Sequence, residues 1–177
     1  MDKTLIDVRL YMSLLILLVL QGCMKGSSEY DHGINEADKI FISQGLHLHE
    51  IIAAASALVP ERSDSDELEI FAANSHRQQL MLFHELDSVN NFIQLKAGAE
   101  TNLANLEMNN KLVSLTGNRF DSSYLHNMLI FHQKAVEVYK NQLTVGSNSS
   151  LKNFASRKIE FLNTQLQEVE FVFKRYQ

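Results

Sequence analysis

The stretch "LEIFAANSHRQQLMLFHELDSVNNFI", residues 68–93, decides the fold. Wound at helical pitch, Leu68, Ala72, Ser75, Gln79, Leu82, Leu86, Val89 and Ile93 follow one another in steps of four and three. They therefore share one face of a long helix, and that face must be buried against other helices. Two of its members, Ser75 and Gln79, are polar. A buried amide must find partners, so Gln79 announces polar contacts inside a core. Serines and acids near Ser63 and Ser65 suit the start of this helix, and Gly98 follows its expected end near Lys96.

Three further segments carry the same pattern. Residues 35–59 place Ala37, Phe41, Leu48, Ile51, Ala55 and Leu58 on one stripe, and Pro60 is expected to end that helix. A third helix is expected from Asp121 as N-cap, with Phe120 packing on Leu125 as a hydrophobic staple and Leu125, Met128, His132, Ala135 and Tyr139 facing inward. After the loop "GSNSS", residues 146–150, a fourth carries Ala155, Ile159, Leu162, Leu166, Val169, Phe173 and Tyr176. Residues 99–117, with Leu103, Leu106, Leu112 and Leu115, read as a connection holding a short helix. Four such stripes predict an all-α protein, an antiparallel four-helix bundle over residues 35–177 with a short extra helix between helices 2 and 3.

A chain of 177 residues suits one domain of this kind. Its net charge of -5 and lack of a Lys/Arg cluster argue against a nucleic-acid partner, since phosphate binding needs a concentrated basic face.

The first residues give an address. Lys3 and Arg9 precede an apolar run from Leu10 to Leu20, too short for the ~20 residues of a membrane-spanning helix and suited to a signal peptide over residues 1–22. The string "LQGC", residues 20–23, resembles a bacterial lipobox, with Leu20 and Gly22 in the pattern and Gln21 a less usual middle residue. That resemblance implies removal of 1–22, lipidation of Cys23 and a membrane partner bound through the acyl chains. Cys23 is the only cysteine, so thiol catalysis and disulfides within the mature chain are excluded. Residues 23–34 would then be the lipidated cysteine and a tether holding the domain within roughly 20 Å of the bilayer. Met24 and Lys25 follow the cysteine where an aspartate would resemble an inner-membrane retention signal, which favours the outer membrane and a domain facing the periplasm.

Within "LTGNRFDSSYLHNMLIFHQKAVEVY", residues 115–139, the residues Leu115, Thr116, Gly117, Phe120, Asp121, Tyr124, Met128, His132 and Val136 resemble the signature of the bacterial family called domain of unknown function 4142. The resemblance extends over residues 37–173 and implies an exported, ferritin-like bundle. In that family's pattern Glu50 takes the place of a first-helix glutamate. Gln78 and Gln79 stand where Asp-His is usual in the second helix, and Gln165 where a histidine is common in the fourth, so His132 is the one recurrent histidine kept.

Ferritin-like metal centres need carboxylates from several helices together with Glu-x-x-His pairs, and none of the four helical stripes carries one, the single such spacing, Glu29 and His32, falling in the tether. Two readings of the core follow. In the first, Glu50, Gln79, His132 and Gln165 form a hydrogen-bonded polar layer that fixes helix register, with no metal and no cofactor, in a non-enzymatic binding or envelope-associated module of unknown partner. In the second, Glu50 and His132 centre an atypical metal or redox site. His32, His47, His49, His76, His84 and His126 are read as surface or boundary residues.

Overall fold

The computed structural model describes residues 33–95 and 103–176, the side chains of 103–105 excepted. The predicted signal peptide, lipidated Cys23, most of the tether, and Lys96 lie outside these. The described residues form six helices and no strand: α1 (Glu36–Ser56), α2 (Val59–Arg62), α3 (Asp66–Phe92), α4 (Leu103–Val113), α5 (Gly117–Val145) and α6 (Ser149–Arg175).

Cross-helix contacts fix the topology. Gly45 of α1 faces Leu86 of α3, and His76 on α3 meets the Ala53 carbonyl, so these two helices run antiparallel. Asn35 bonds the Val145 carbonyl while Ser56 bonds Tyr124, which makes α1 and α5 antiparallel as well. Ion pairs of Glu67 with Arg175 and Glu85 with Lys158 run α3 against α6. The order around the bundle is α3, α1, α5, α6. In chain order α1, α3, α5 and α6 run up, down, down, up, so the end of α3 and the start of α5 lie at opposite ends of a bundle roughly 40 Å long. One long crossover between the second and third main helices is the ferritin-like connection. Its described part, α4, packs on α1 and α5.

Helix boundaries depart from the stripes at three places. Asp121 is not the N-cap of α5: that helix starts a turn earlier, after Thr116, and Gly117 takes a left-handed φ of 57° that glycine adopts without strain. Phe120 is thus inside the helix and stacks on Tyr124 at 5.8 Å, 7° from parallel, in place of a staple to Leu125. Pro60 does not close α1, which ends at Ser56; it sits in the first turn of α2, where its missing N–H costs nothing. The second main helix stops at Phe92, short of Lys96.

The end where α1 begins is locked by a carboxylate. Asn35 and Asp38 form a reciprocal capping box, each backbone N–H at 2.9 Å from the other's side chain. Asp38, fully buried, also accepts from Gln142 Nε2 at 2.6 Å, from Ser147 N–H and Oγ–H, and from Asn148 N–H. Burial raises its pKa, but these bonds together outweigh it and hold the carboxyl below 3.8. One side chain thereby joins the start of α1 to the α5–α6 connection.

Asp38→Ala removes the acceptor of the buried Gln142 amide, of the Ser147 hydroxyl and of three backbone N–H groups, those of Asn35, Ser147 and Asn148. We expect a loss of about 2–4 kcal/mol, read as a lower urea midpoint with unchanged slope.

Candidate polar layer in the bundle core

Halfway along the bundle, polar side chains from all four long helices meet. His49 comes from α1, Gln78 and Gln79 from α3, His132 and Tyr139 from α5, and Gln165 from α6. His49, Gln79, His132, Tyr139 and Gln165 are each at most 4% exposed, so each polar atom must be paired within the protein.

The pairing can be solved from a single atom. His132 Nδ1 lies 2.8 Å from the Met128 carbonyl, which only accepts, so Nδ1 carries the proton. A neutral ring then offers Nε2 as acceptor, and Gln79 must present its amide nitrogen there, at a long 3.4 Å. The second N–H of that amide donates to Gln165 Oε1 at 3.2 Å. Gln79 Oε1 consequently faces His49 Nδ1 at 2.6 Å and receives its proton. His49 Nε2 is left to accept from the Tyr139 hydroxyl at 2.8 Å. Gln165 Nε2 donates outward to Gln78 Oε1 at 2.7 Å. The result is a directional chain in which both imidazoles are neutral.

Electrostatics agree with that assignment. Burial lowers the His49 pKa to about 4, a nearby His132 charge lowers it further, and the Gln79 bond opposes both. Burial also lowers His132 to about 4 against the raising effect of the Met128 carbonyl. Burial first, then the Glu85 carboxylate, push the Tyr139 phenol far above its usual range. All three groups are uncharged at neutral pH. A crevice beside the layer, lined by Phe71, Ser75, Gln78, His132, Gln165 and Glu168, is too narrow for a water molecule, and the buried Ser75 hydroxyl in it has no partner.

Gln79, His132 and Gln165 meet as members of this layer, whereas Glu50 does not. Glu50 is exposed on the outer side of α1, and its neighbour His49 points inward. The reason is position: α1 lies between α3 and α5 and beneath α4, so residues 45–49 and 51–53 are all buried and one apolar stripe no longer marks the inside. His47 and His49 are buried for that reason, contrary to the boundary role expected of them. His126 and His84 are exposed as expected, and His76 is half-buried against the Ala53 carbonyl. The residues of the α5 signature do packing work. Phe120 and Tyr124 are fully buried, the Tyr124 hydroxyl meets Ser56 Oγ at 3.0 Å, and Asp121 is 4% exposed with Oδ1 unpaired.

The donor set does not fit the metal centre that a ferritin-like fold suggests. Each imidazole lone pair already accepts a proton, the layer holds no carboxylate, and amides neutralise no charge. Among the described residues no group of three or more His, Cys, Asp or Glu is placed to hold an ion.

This is an all-helical protein of ferritin-like connectivity with a neutral polar layer in its core. The chain belongs to the family described as domain of unknown function (DUF4142), which matches residues 24–172. Among solved structures it is similar to the "putative secreted protein DUF305" from Streptomyces coelicolor, with a TM-score of 0.65, 16% identity, and 79% of this chain and 91% of that one covered. It is also similar to CopM in its Cu(II)-bound form, with a TM-score of 0.63, 16% identity, and 79% and 97% covered. No curated protein matches the chain. At this identity the likeness concerns the fold alone.

Stability should fall in acid in two windows. Each buried histidine titrates near 6.5 when unfolded and near 4 when folded, so between those values the unfolded chain binds more protons. Stability is therefore full above about pH 6.5 and falls as pH drops toward 4, by roughly 1.4 kcal/mol per pH unit for each histidine. Asp38, with its folded pKa lowered, contributes above 3.8 and loses that contribution as pH falls further. Urea midpoints across pH 3–8 check both windows, and His132→Gln should flatten the upper slope by about half.

Proposed function

We propose that the protein is a lipid-anchored bundle of the bacterial cell envelope, held through Cys23 to the outer membrane with its domain facing the periplasm. It acts without catalysis, as a binding or envelope-associated module. The carrying observation is the donor–acceptor chain from Tyr139 to Gln78: both ring nitrogens of His49 and His132 and the amide groups of Gln79 and Gln165 are already engaged. Such a layer fixes how four helices register, because any slip leaves buried polar groups unpaired. The address rests on the sequence pattern around Cys23. Among the described residues no helix is long and apolar enough to cross a membrane, which leaves the acyl chains as the attachment this reading needs.

A second reading, a metal or redox centre on His132, has one support, the fold shared with Cu(II)-bound CopM. It would have to do without Glu50, which faces outward.

Two measurements test the proposal. Metal analysis of the protein purified without chelator should show no stoichiometric copper, iron, manganese or zinc; a metal present one-to-one and lost in His132→Ala overturns the non-metal reading. Cys23→Ser should move the protein from the membrane fraction to the soluble fraction of its host, and retention in the membrane fraction sinks the anchor.

A further inference from the structure

We infer that the end of the bundle formed by the start of α1, the end of α3 and the α5–α6 connection is a membrane-contact surface, resting end-on on the lipid bilayer with Phe92 in the headgroup layer. The inference rests on the lipid anchor proposed above.

Chain length selects this end. Gly33 lies against the α5–α6 connection, its carbonyl accepting from Ser147 Oγ at 2.6 Å, while Asn35 bonds Val145. Between Cys23 and Gly33 the chain can span at most ~35 Å, whatever its conformation. The bundle is roughly 40 Å long. An upright bundle anchored at Cys23 therefore cannot bring its opposite end to the bilayer, whereas the near end reaches it easily.

Side chains agree with that choice. Phe92, the last residue of α3, is 80% exposed, and the pairing of Gly45 with Leu86 sets it level with the first turn of α1. Val145, 49% exposed, and Ile40, 37% exposed, belong to the same end. The headgroup region is where an exposed aromatic ring at the anchored end is best placed. Lys140 is exposed and Lys152 half-exposed close by, while Lys39 is paired with Glu36 at 3.2 Å.

The chain contains no tryptophan, so a single indole reports its own surroundings. Phe92→Trp and Phe171→Trp each place one at an exposed site, 80% and 61%, where folding should not depend on the ring. Each full-length protein, acylated in its host, is reconstituted into phosphatidylglycerol/phosphatidylethanolamine vesicles carrying bromine on their acyl chains. The indole at position 92 should shift to the blue and be quenched at least twofold, and that at 171 should emit as it does in buffer. If the protein floats with the vesicles and neither indole is quenched, there is no contact and the inference fails while the anchor stands. Equal quenching at both positions means the bundle lies flat, which also overturns it. Failure to float at all removes the anchor, and the inference with it.

Discussion

The hydrogen bond from His132 Nδ1 to the Met128 carbonyl determines the interior of this protein. A carbonyl oxygen can only accept, so that contact settles which nitrogen of His132 is protonated, which way Gln79 is turned, which tautomer His49 adopts and where the Tyr139 proton points. Each step is forced by the one before. Polar side chains on four helices thereby acquire one consistent arrangement. An apolar layer of equal volume would be no less stable, but it would tolerate a helix sliding by a turn; this layer would not, because each displaced group would be stranded without water.

The bundle needs such a device because its connectivity supplies little register. α3 and α6 are far apart in sequence and touch sparingly through their backbones; side chains join them, with Gln79 and Gln78 meeting Gln165 in the middle and Glu67–Arg175 and Glu85–Lys158 on the outer seam. The exposed Glu67–Arg175 pair is worth little on its own. Register along that seam is set by the buried amides. At the end where α1 begins, Asp38 does the same with a charge, kept ionised by five donors from Asn35, Gln142, Ser147 and Asn148.

The stripes made the four long helices, the crossover helix and the inward positions of Gln79, His132 and Tyr139 legible from sequence, because helical periodicity is a local signal. Glu50 and His49 show where that signal stops. Periodicity marks one buried face, and α1 is covered by three neighbours, so the exposed side is a narrow strip and the choice between adjacent residues is made by tertiary packing. Periodicity missed Gln78, which only the family resemblance pointed to, for a related reason: it reaches the layer from the edge of its helix through Gln165. The start of α5 was misplaced because Asp121 looks like a cap, whereas Gly117 in a left-handed conformation lets the helix begin a turn earlier with no side-chain cap. The features at Cys23 are of another kind, since they are written for a processing enzyme and carry no packing information.

The direction of the hydrogen-bond chain also explains why these histidines make poor acid–base or metal groups, beyond the effect of burial. Adding a proton to His132 Nε2 would set its N–H against the amide N–H of Gln79. Turning that amide over relieves the clash, but then its N–H meets the Nδ1–H of His49, so that ring must change tautomer and the Tyr139 hydroxyl must turn from donor to acceptor. Gln165 would lose its donor in the same movement. One proton, or one cation in its place, therefore requires the whole chain to reverse at once inside a core that admits no water. The glutamines are what give the chain this property: an amide both donates and accepts, so it passes direction along, whereas a carboxylate at position 79 or 165 would only accept and would end it.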